Sequence, residues 1–210
     1  MIYLIITTSI INRFGLTDSK KRQEQYLSAI RETLRHLPEI ITPIIVENNG
    51  KRDTYLDHFV HGNKPVRVIY TTNNNTVCNN KSTIEMMDIK EVIHEGNIQG
   101  NDTIIKLTGR YRMTSPDFFM EVIQHEKQVD AFVKFFNVCT QEFEEKNCVL
   151  GCFAIRTYQL ALYPHWLMDS YLSAEVAFAT YVRRLLGTIR EIKNIGMECV
   201  FADNDYSPHV

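Results

Sequence analysis

Residues 102–119, DTIIKLTGRYRMTSPDFF, run through a strand, a polar turn and the start of a helix. The stretch TIIKL is β-branched and aliphatic at a length that suits a strand covered on both faces. Thr108-Gly109-Arg110 ends it with a hydroxyl, a residue lacking Cβ and a cation. Ser115-Pro116-Asp117 then opens a helix through Ile123, since proline is accepted in a first helical turn. A strand ending in a polar turn that feeds a helix is the repeating unit of a mostly parallel sheet with right-handed crossovers.

The same unit recurs upstream. Residues 2–6 are a second aliphatic run, and residues 19–37 place Tyr26, Ile30, Leu34 and Leu37 at helical spacing before Pro38. Pro43-Ile44-Ile45-Val46 gives a short buried strand closed by the turn formers Glu47-Asn48-Asn49-Gly50. The pattern predicts a short helix over 53–59, a third strand over 66–70, and a helix over 82–94 whose Ser82 and Glu85 form a capping box. Downstream, 129–136 and 148–155 read as strands, the second broken by Gly151, with a helix over 175–186 and a last strand over 198–201. The expected fold is therefore one α/β domain over 1–210, with a mostly parallel central sheet flanked by helices.

Composition narrows the function classes. The chain has 210 residues, 44% of them apolar, enough for one substantial core. Its 23 basic and 25 acidic residues are dispersed, which argues against a nucleic-acid partner that would need a basic stripe. Five cysteines, an odd number without a C-x-x-C pair, indicate neither a disulfide framework nor a zinc ribbon, and a reducing, cytoplasmic setting is expected. The opening MIYLIITTSI is too short for a transmembrane segment and has no basic flank of a signal peptide. The chain also fits one domain cut from a longer polypeptide.

In open parallel sheets ligands sit beyond the carboxyl ends of the strands. That edge collects Thr7-Thr8-Ser9, Glu47-Asn48-Asn49, the asparagine-rich loop over 73–80 and Thr108-Gly109-Arg110. Arg110 can grip phosphate oxygens with two parallel N–H donors, and Gly109 allows close backbone approach. The plainer alternative is a simple turn flanked by two solvated arginines, Arg110 and Arg112.

The order of elements, with NNKSTIEMMDIKEVI (residues 79–93) followed by DTIIKLTGRYRMTSPDFFMEVI (residues 102–123), resembles the GT-A nucleotide-sugar glycosyltransferases. Within that family it looks like the compact transferases of large algal DNA viruses that build capsid glycans. The resemblance implies a Rossmann-like nucleotide-binding half over 1–125 and an acceptor half over 126–210. It implies transfer of a hexose or deoxyhexose from a nucleoside diphosphate sugar, a UDP-sugar by family analogy, to a hydroxyl of a glycan or glycoprotein. In a viral setting the location would be the host cytoplasm. The family's cofactor is a divalent cation, Mn2+ or Mg2+, held by a D-x-D motif; here Thr108-Gly109-Arg110 stands in its place, which puts metal dependence in question.

By the same resemblance, Thr7, Thr8, Ser9 and Arg13 serve the nucleotide, and Glu47 or Asn48 reads the edge of the base. Asn80 and Lys81 lead into the helix beside the diphosphate, where a cation and a helix N-terminus both favour negative charge. Glu175 corresponds to the general base of inverting members, and Asp203 and His209 to late metal ligands of retaining members. Each has a plainer alternative: a strand-end turn for 7–9 and 47–49, an exposed lysine for Lys81, a helix-dipole partner for Glu175, and turn formers for Asp203 and Asp205. Trp166 reads either as a sugar platform or as core, and Asn137 as a candidate acceptor contact. The competing functions are a sugar nucleotidyltransferase, which would need a richer glycine-basic loop than Arg13 and Gly15 supply, and a sugar-nucleotide-binding protein without catalysis.

Overall fold

The computed structural model describes the chain except residues 12, 14–17, 52–53, 79, 167–172 and 201–206. The central sheet is built first by β1 (Ile2–Thr8), β2 (Ile41–Glu47), β5 (Arg67–Tyr70) and β6 (Thr103–Thr108), all mutually parallel where they pair. A small hairpin of β3 (Val60–His61) and β4 (Lys64–Pro65) sits between β2 and β5 in the chain. Every residue of β1 is buried, as an aliphatic run covered on both faces must be. One layer, containing Tyr26 and Ile30 of α1 (Ser19–His36), packs with Leu4, Ile6, Ile45, Ile105 and Leu107. The other, with Met86, Ile89 and Val92 of α2 (Lys81–Glu95), packs with Tyr3, Ile5, Ile44 and Ile104.

The rest of the chain completes the sheet and its edge: β7 (Arg112–Met113), α3 (Asp117–His125), β8 (Ala131–Val133), β9 (Cys152–Arg156), α4 (Thr157–Leu162), α5 (Ala174–Arg183), β10 (Ile189–Glu191) and β11 (Met197–Glu198). Among the described residues the sheet has seven strands in the order β10-β8-β9-β6-β1-β2-β5, and of these β9 alone runs antiparallel to its neighbours. The mostly parallel α/β architecture is as expected from sequence. Because β9 is reversed, its entry, residues 148–151, lies at the carboxyl end of β6 rather than at the far edge. The strand expected over 148–155 therefore begins only at Cys152, and the segment before it is free to line a site. The run over 129–136 shortens to β8 in the same way.

Three local expectations change: the last strand, expected over 198–201, spans only Met197–Glu198, with residue 201 outside the described residues. Among the described residues of 53–59 the backbone turns without forming a helix. The α2 cap is Asn80, not Ser82: the Asn80 side chain accepts from the Ser82 and Thr83 amides. Such a cap contributes about 0.5–2 kcal/mol. It also releases Glu85 from the capping box and leaves its carboxylate for another purpose.

Candidate active site

The chain winds from β1 outward to β2 and β5, then returns to place β6 on the other side of β1. The topological switch point therefore lies between β1 and β6, where a ligand crevice is expected. A cleft opens there, lined by Thr7, Thr8 and Ser9 at the end of β1, Asn48 after β2, Thr108 and Arg110 after β6, Lys81 and Glu85 of α2, and Glu175 of α5. Arg22 and Tyr26 of α1, Lys106, Tyr111 and the Leu150-Gly151 entry to β9 complete the wall.

At the centre is Lys106, 1% exposed on an interior strand. Its ammonium donates to Glu85 Oε2 at 3.0 Å, Thr108 Oγ1 at 2.6 Å and the Leu150 carbonyl at 3.0 Å. All three protons are engaged, so Lys106 ties α2, β6 and the β9 entry together rather than reaching for a ligand. Glu85 Oε1 also accepts from Thr7 at 2.7 Å and Thr108 at 3.2 Å. Burial alone would raise the Glu85 carboxyl, but the Lys106 charge and the Thr7 hydrogen bond more than offset it and hold the group below its ordinary range.

Glu175 contrasts with Glu85. It lies in the first turn of α5, which Ser173 caps by accepting from the Val176 amide. Its carboxylate makes no hydrogen bond or ion pair with the described residues, while its backbone carbonyl accepts from the Cys148 thiol. Of the two carboxylates lining the cleft among the described residues, one is committed to a lysine and the other has no such partner.

Close approaches shape the same edge. A Cβ on Gly109 would lie 2.7 Å from the Thr7 carbonyl oxygen and 2.9 Å from the Thr8 methyl, so the turn after β6 fits only glycine. The Gly109 amide donates to that Thr7 carbonyl at 2.8 Å, locking β1 and β6 at the cleft. Gly151 sits under the Tyr111 ring, where a Cβ would come within 2.1 Å of the ring carbons. The Tyr111 hydroxyl has no hydrogen-bond partner among the described residues, and burial raises its pKa well above the ordinary phenol value.

The remaining candidates divide by what their side chains already do. Glu47 is 1% exposed and lies behind the cleft, its carboxylate accepting from Thr8, the Ile10 amide, Asn49 and Tyr55. Asn48 lines the cleft but gives its amide to Asp88 at 3.1 Å and accepts from Asn49 at 3.2 Å. Arg13 donates to the carbonyls of Asn74, Thr76 and Cys78, tying down the asparagine loop beside a neighbouring recess. Asn80 is the helix cap described above. His209 is exposed, bridges Glu198 through the backbone and is not among the residues lining the cleft, while Asp203 lies outside the described residues. Trp166 is 63% exposed, so it is not core. Asn137 closes a turn with the Cys139 and Thr140 amides.

Three cleft groups escape a reading of the motifs alone. Lys106 is the one visible anomaly, a charge inside the buried run TIIKLT. Glu85 is hidden by its capping-box spacing, and Arg22 by its place on a helix rich in surface charges.

The described residues do not fit a divalent cation at the end of β6. A guanidinium stands where a carboxylate is needed, and Glu85 is neutralised by Lys106. Among the described residues, no group of three or more His, Cys, Asp or Glu side chains gathers. The cleft instead suits an anion: with Lys106 paired to Glu85, its described lining still carries Arg22, Lys81 and Arg110 against Glu175.

Behind the cleft rim, Asp88 accepts from Thr71 at 2.6 Å, Asn73 at 2.8 Å and Asn48 at 3.1 Å. Burial pushes its carboxyl up to about 7, against the pull of those three donors. An acid whose pKa rises on folding stabilises most fully below its ordinary value of 3.8, and that contribution is lost as pH climbs through the folded value. Asp88→Asn is expected to flatten the decline of stability between about pH 4 and about pH 7. Denaturant midpoints across that window check this; an unchanged slope would show that Asp88 does not hold its proton.

Comparison by sequence finds no matching family model and no matching curated protein. Comparison by structure finds fold relatives over nearly the whole chain. PcManGT, a mannosyltransferase from Pyrobaculum calidifontis in complex with GDP-Man and Mn2+, superposes with a TM-score of 0.57 at 10% identity, covering 92% of this chain and 55% of its own. This chain thus spans about half the length of that enzyme. The 4-diphosphocytidyl-2C-methyl-D-erythritol synthase of Anaerococcus prevotii gives 0.52 at 10% identity, over 91% of this chain and 86% of its own. Mouse xyloside xylosyltransferase 1 gives 0.51 at 10% identity, over 91% and 85%. The chain shares the fold of these three enzymes. Among the described residues, no helix is long and apolar enough to cross a membrane.

Proposed function

We propose that the chain is a glycosyltransferase that moves a hexose or deoxyhexose from a nucleoside diphosphate sugar, a UDP-sugar in the first instance, to a hydroxyl of a glycan. The observation that carries this reading is the pairing, in one cleft at the β1/β6 switch point, of excess positive charge with one carboxylate that is unengaged among the described residues. The nucleoside lies against Thr7, Thr8 and Ser9, whose small side chains leave room at the strand end. Its diphosphate meets Arg110 and the first turn of α2 at Lys81.

In the reaction the bond between the anomeric carbon and the diphosphate oxygen breaks while the acceptor oxygen bonds to that carbon. The acceptor proton passes to Glu175, and the electron pair leaves on the diphosphate, where the cationic wall stabilises it. Glu85 keeps Lys106, Thr7 and Thr108 in place and takes no proton. A cytoplasmic capsid-glycan role in an algal virus belongs to this proposal through the sequence resemblance alone.

The same fold also accommodates a second reading, a nucleotidyltransferase acting on a sugar phosphate. Calorimetry with UDP, GDP and CMP, with and without manganese, followed by product analysis, separates the two. The glycosyltransferase reading expects a nucleoside diphosphate to bind and to be released from its sugar in the presence of a glycan. Failure of every nucleotide to bind, or pyrophosphate release from a nucleoside triphosphate and a sugar phosphate, would contradict it.

A further inference from the structure

Arg22, on the first turns of α1, is not claimed by any motif. It is 3% exposed, yet it has no carboxylate partner among the described residues. Its Nε donates to the Ser9 carbonyl at 2.5 Å, and its guanidinium carbon lies 5.3 Å from the centre of the Tyr26 ring. Its Nη1 is buried without a hydrogen-bond partner among the described residues. A buried charged donor left open is costly unless something else satisfies it.

Arg22 and Arg110 line the same wall of the cleft. Burial lowers the proton affinity of Arg22, the Tyr26 hydroxyl works against that shift, and the like charge of Arg110 adds to it. Glu47 offsets part of this, but its oxygens already accept from four groups of the protein. Two guanidiniums facing one space, one with an orphaned buried donor, are complementary to an anion that presents several oxygens.

We infer that Arg22 and Arg110 form a two-arginine clamp for the diphosphate of the donor, doing by direct hydrogen bonding what a D-x-D-bound cation does elsewhere. The inference deepens the nucleotide-sugar reading and rests on it for the diphosphate's identity. The anion site itself rests on the orphaned Arg22 donor. Its consequence is that the ligand's charge is met without a divalent cation. Arg22 also becomes a contact residue rather than a structural one.

The test uses the whole chain in EDTA, titrated with inorganic pyrophosphate, UDP, GDP and the matching nucleosides. Pyrophosphate and at least one nucleoside diphosphate are expected to bind, with the nucleoside alone at least about tenfold weaker. Arg22→Gln keeps a donor for the Ser9 carbonyl and removes the charge. It should weaken pyrophosphate binding about 10- to 100-fold while leaving the melting temperature of the ligand-free protein unchanged or higher. Arg22→Lys, which keeps charge but loses the fork, should weaken binding about tenfold; it carries the test if the glutamine variant fails to fold. Wild-type affinity in either folded variant, or binding only when manganese is added, overturns the clamp. If pyrophosphate binds through Arg22 while no nucleoside diphosphate does, the clamp stands and the nucleotide-sugar reading falls. If a nucleoside diphosphate binds only with manganese, the reading stands and the clamp falls.

Discussion

Replacing Glu175 by glutamine is expected to lower turnover by about 10²- to 10⁴-fold while leaving donor binding unchanged. Glutamine keeps the shape and the first-turn position of the side chain. It removes the capacity to take a proton from the acceptor. Because the Glu175 carboxylate has no partner among the described residues, its loss should not disturb the fold, and melting temperatures of the two proteins should agree. Steady-state turnover measured beside calorimetric donor affinity separates the effects. Retained turnover would assign the proton to another group or point to a retaining mechanism.

Lys106→Met should have the largest effect on stability, about 3–5 kcal/mol, the usual cost of breaking a buried pair by removing one partner. The lysine is 1% exposed, and methionine fills its channel without supplying any donor. Three acceptors lose their partner at once: Glu85 Oε2, Thr108 Oγ1 and the Leu150 carbonyl. Since Glu85 keeps some access to solvent, the lower end of the range is expected. Adding Glu85→Leu should restore a large part of the loss, because the uncompensated charge disappears with it. Unfolding free energies from denaturant titration of the single and double variants decide the point. A loss under about 1 kcal/mol for the single variant would mean that water replaces the lysine and that the network is not a structural tie.

Most of the architecture could be read from residues 2–6, 43–46 and 103–107, because continuous aliphatic runs ending in polar turns define parallel strands covered on both faces. The polar strand ends likewise placed Thr7, Thr8, Ser9, Asn48, Thr108 and Arg110 at one edge, where the cleft lies. Strand direction was not legible: the residues of β9 alternate no differently for being antiparallel, so the arrival of Leu150 and Gly151 in the cleft comes only from pairing with β6. The capping spacing at Ser82 and Glu85 was misleading, since Asn80 two residues earlier is the better acceptor for the helix amides. Glu47 shows the converse limit: a carboxylate at a ligand edge is indistinguishable in sequence from one consumed by four internal donors.

The most direct test of the central claim is a crystal structure of the chain with a bound nucleoside diphosphate. The diphosphate is expected within hydrogen-bond distance of Arg110 in the β1/β6 cleft, with the nucleoside against Thr7, Thr8 and Ser9 and the Glu175 carboxylate facing the sugar side. A nucleotide seated outside that cleft, or a diphosphate that does not contact the cationic wall, would contradict the account.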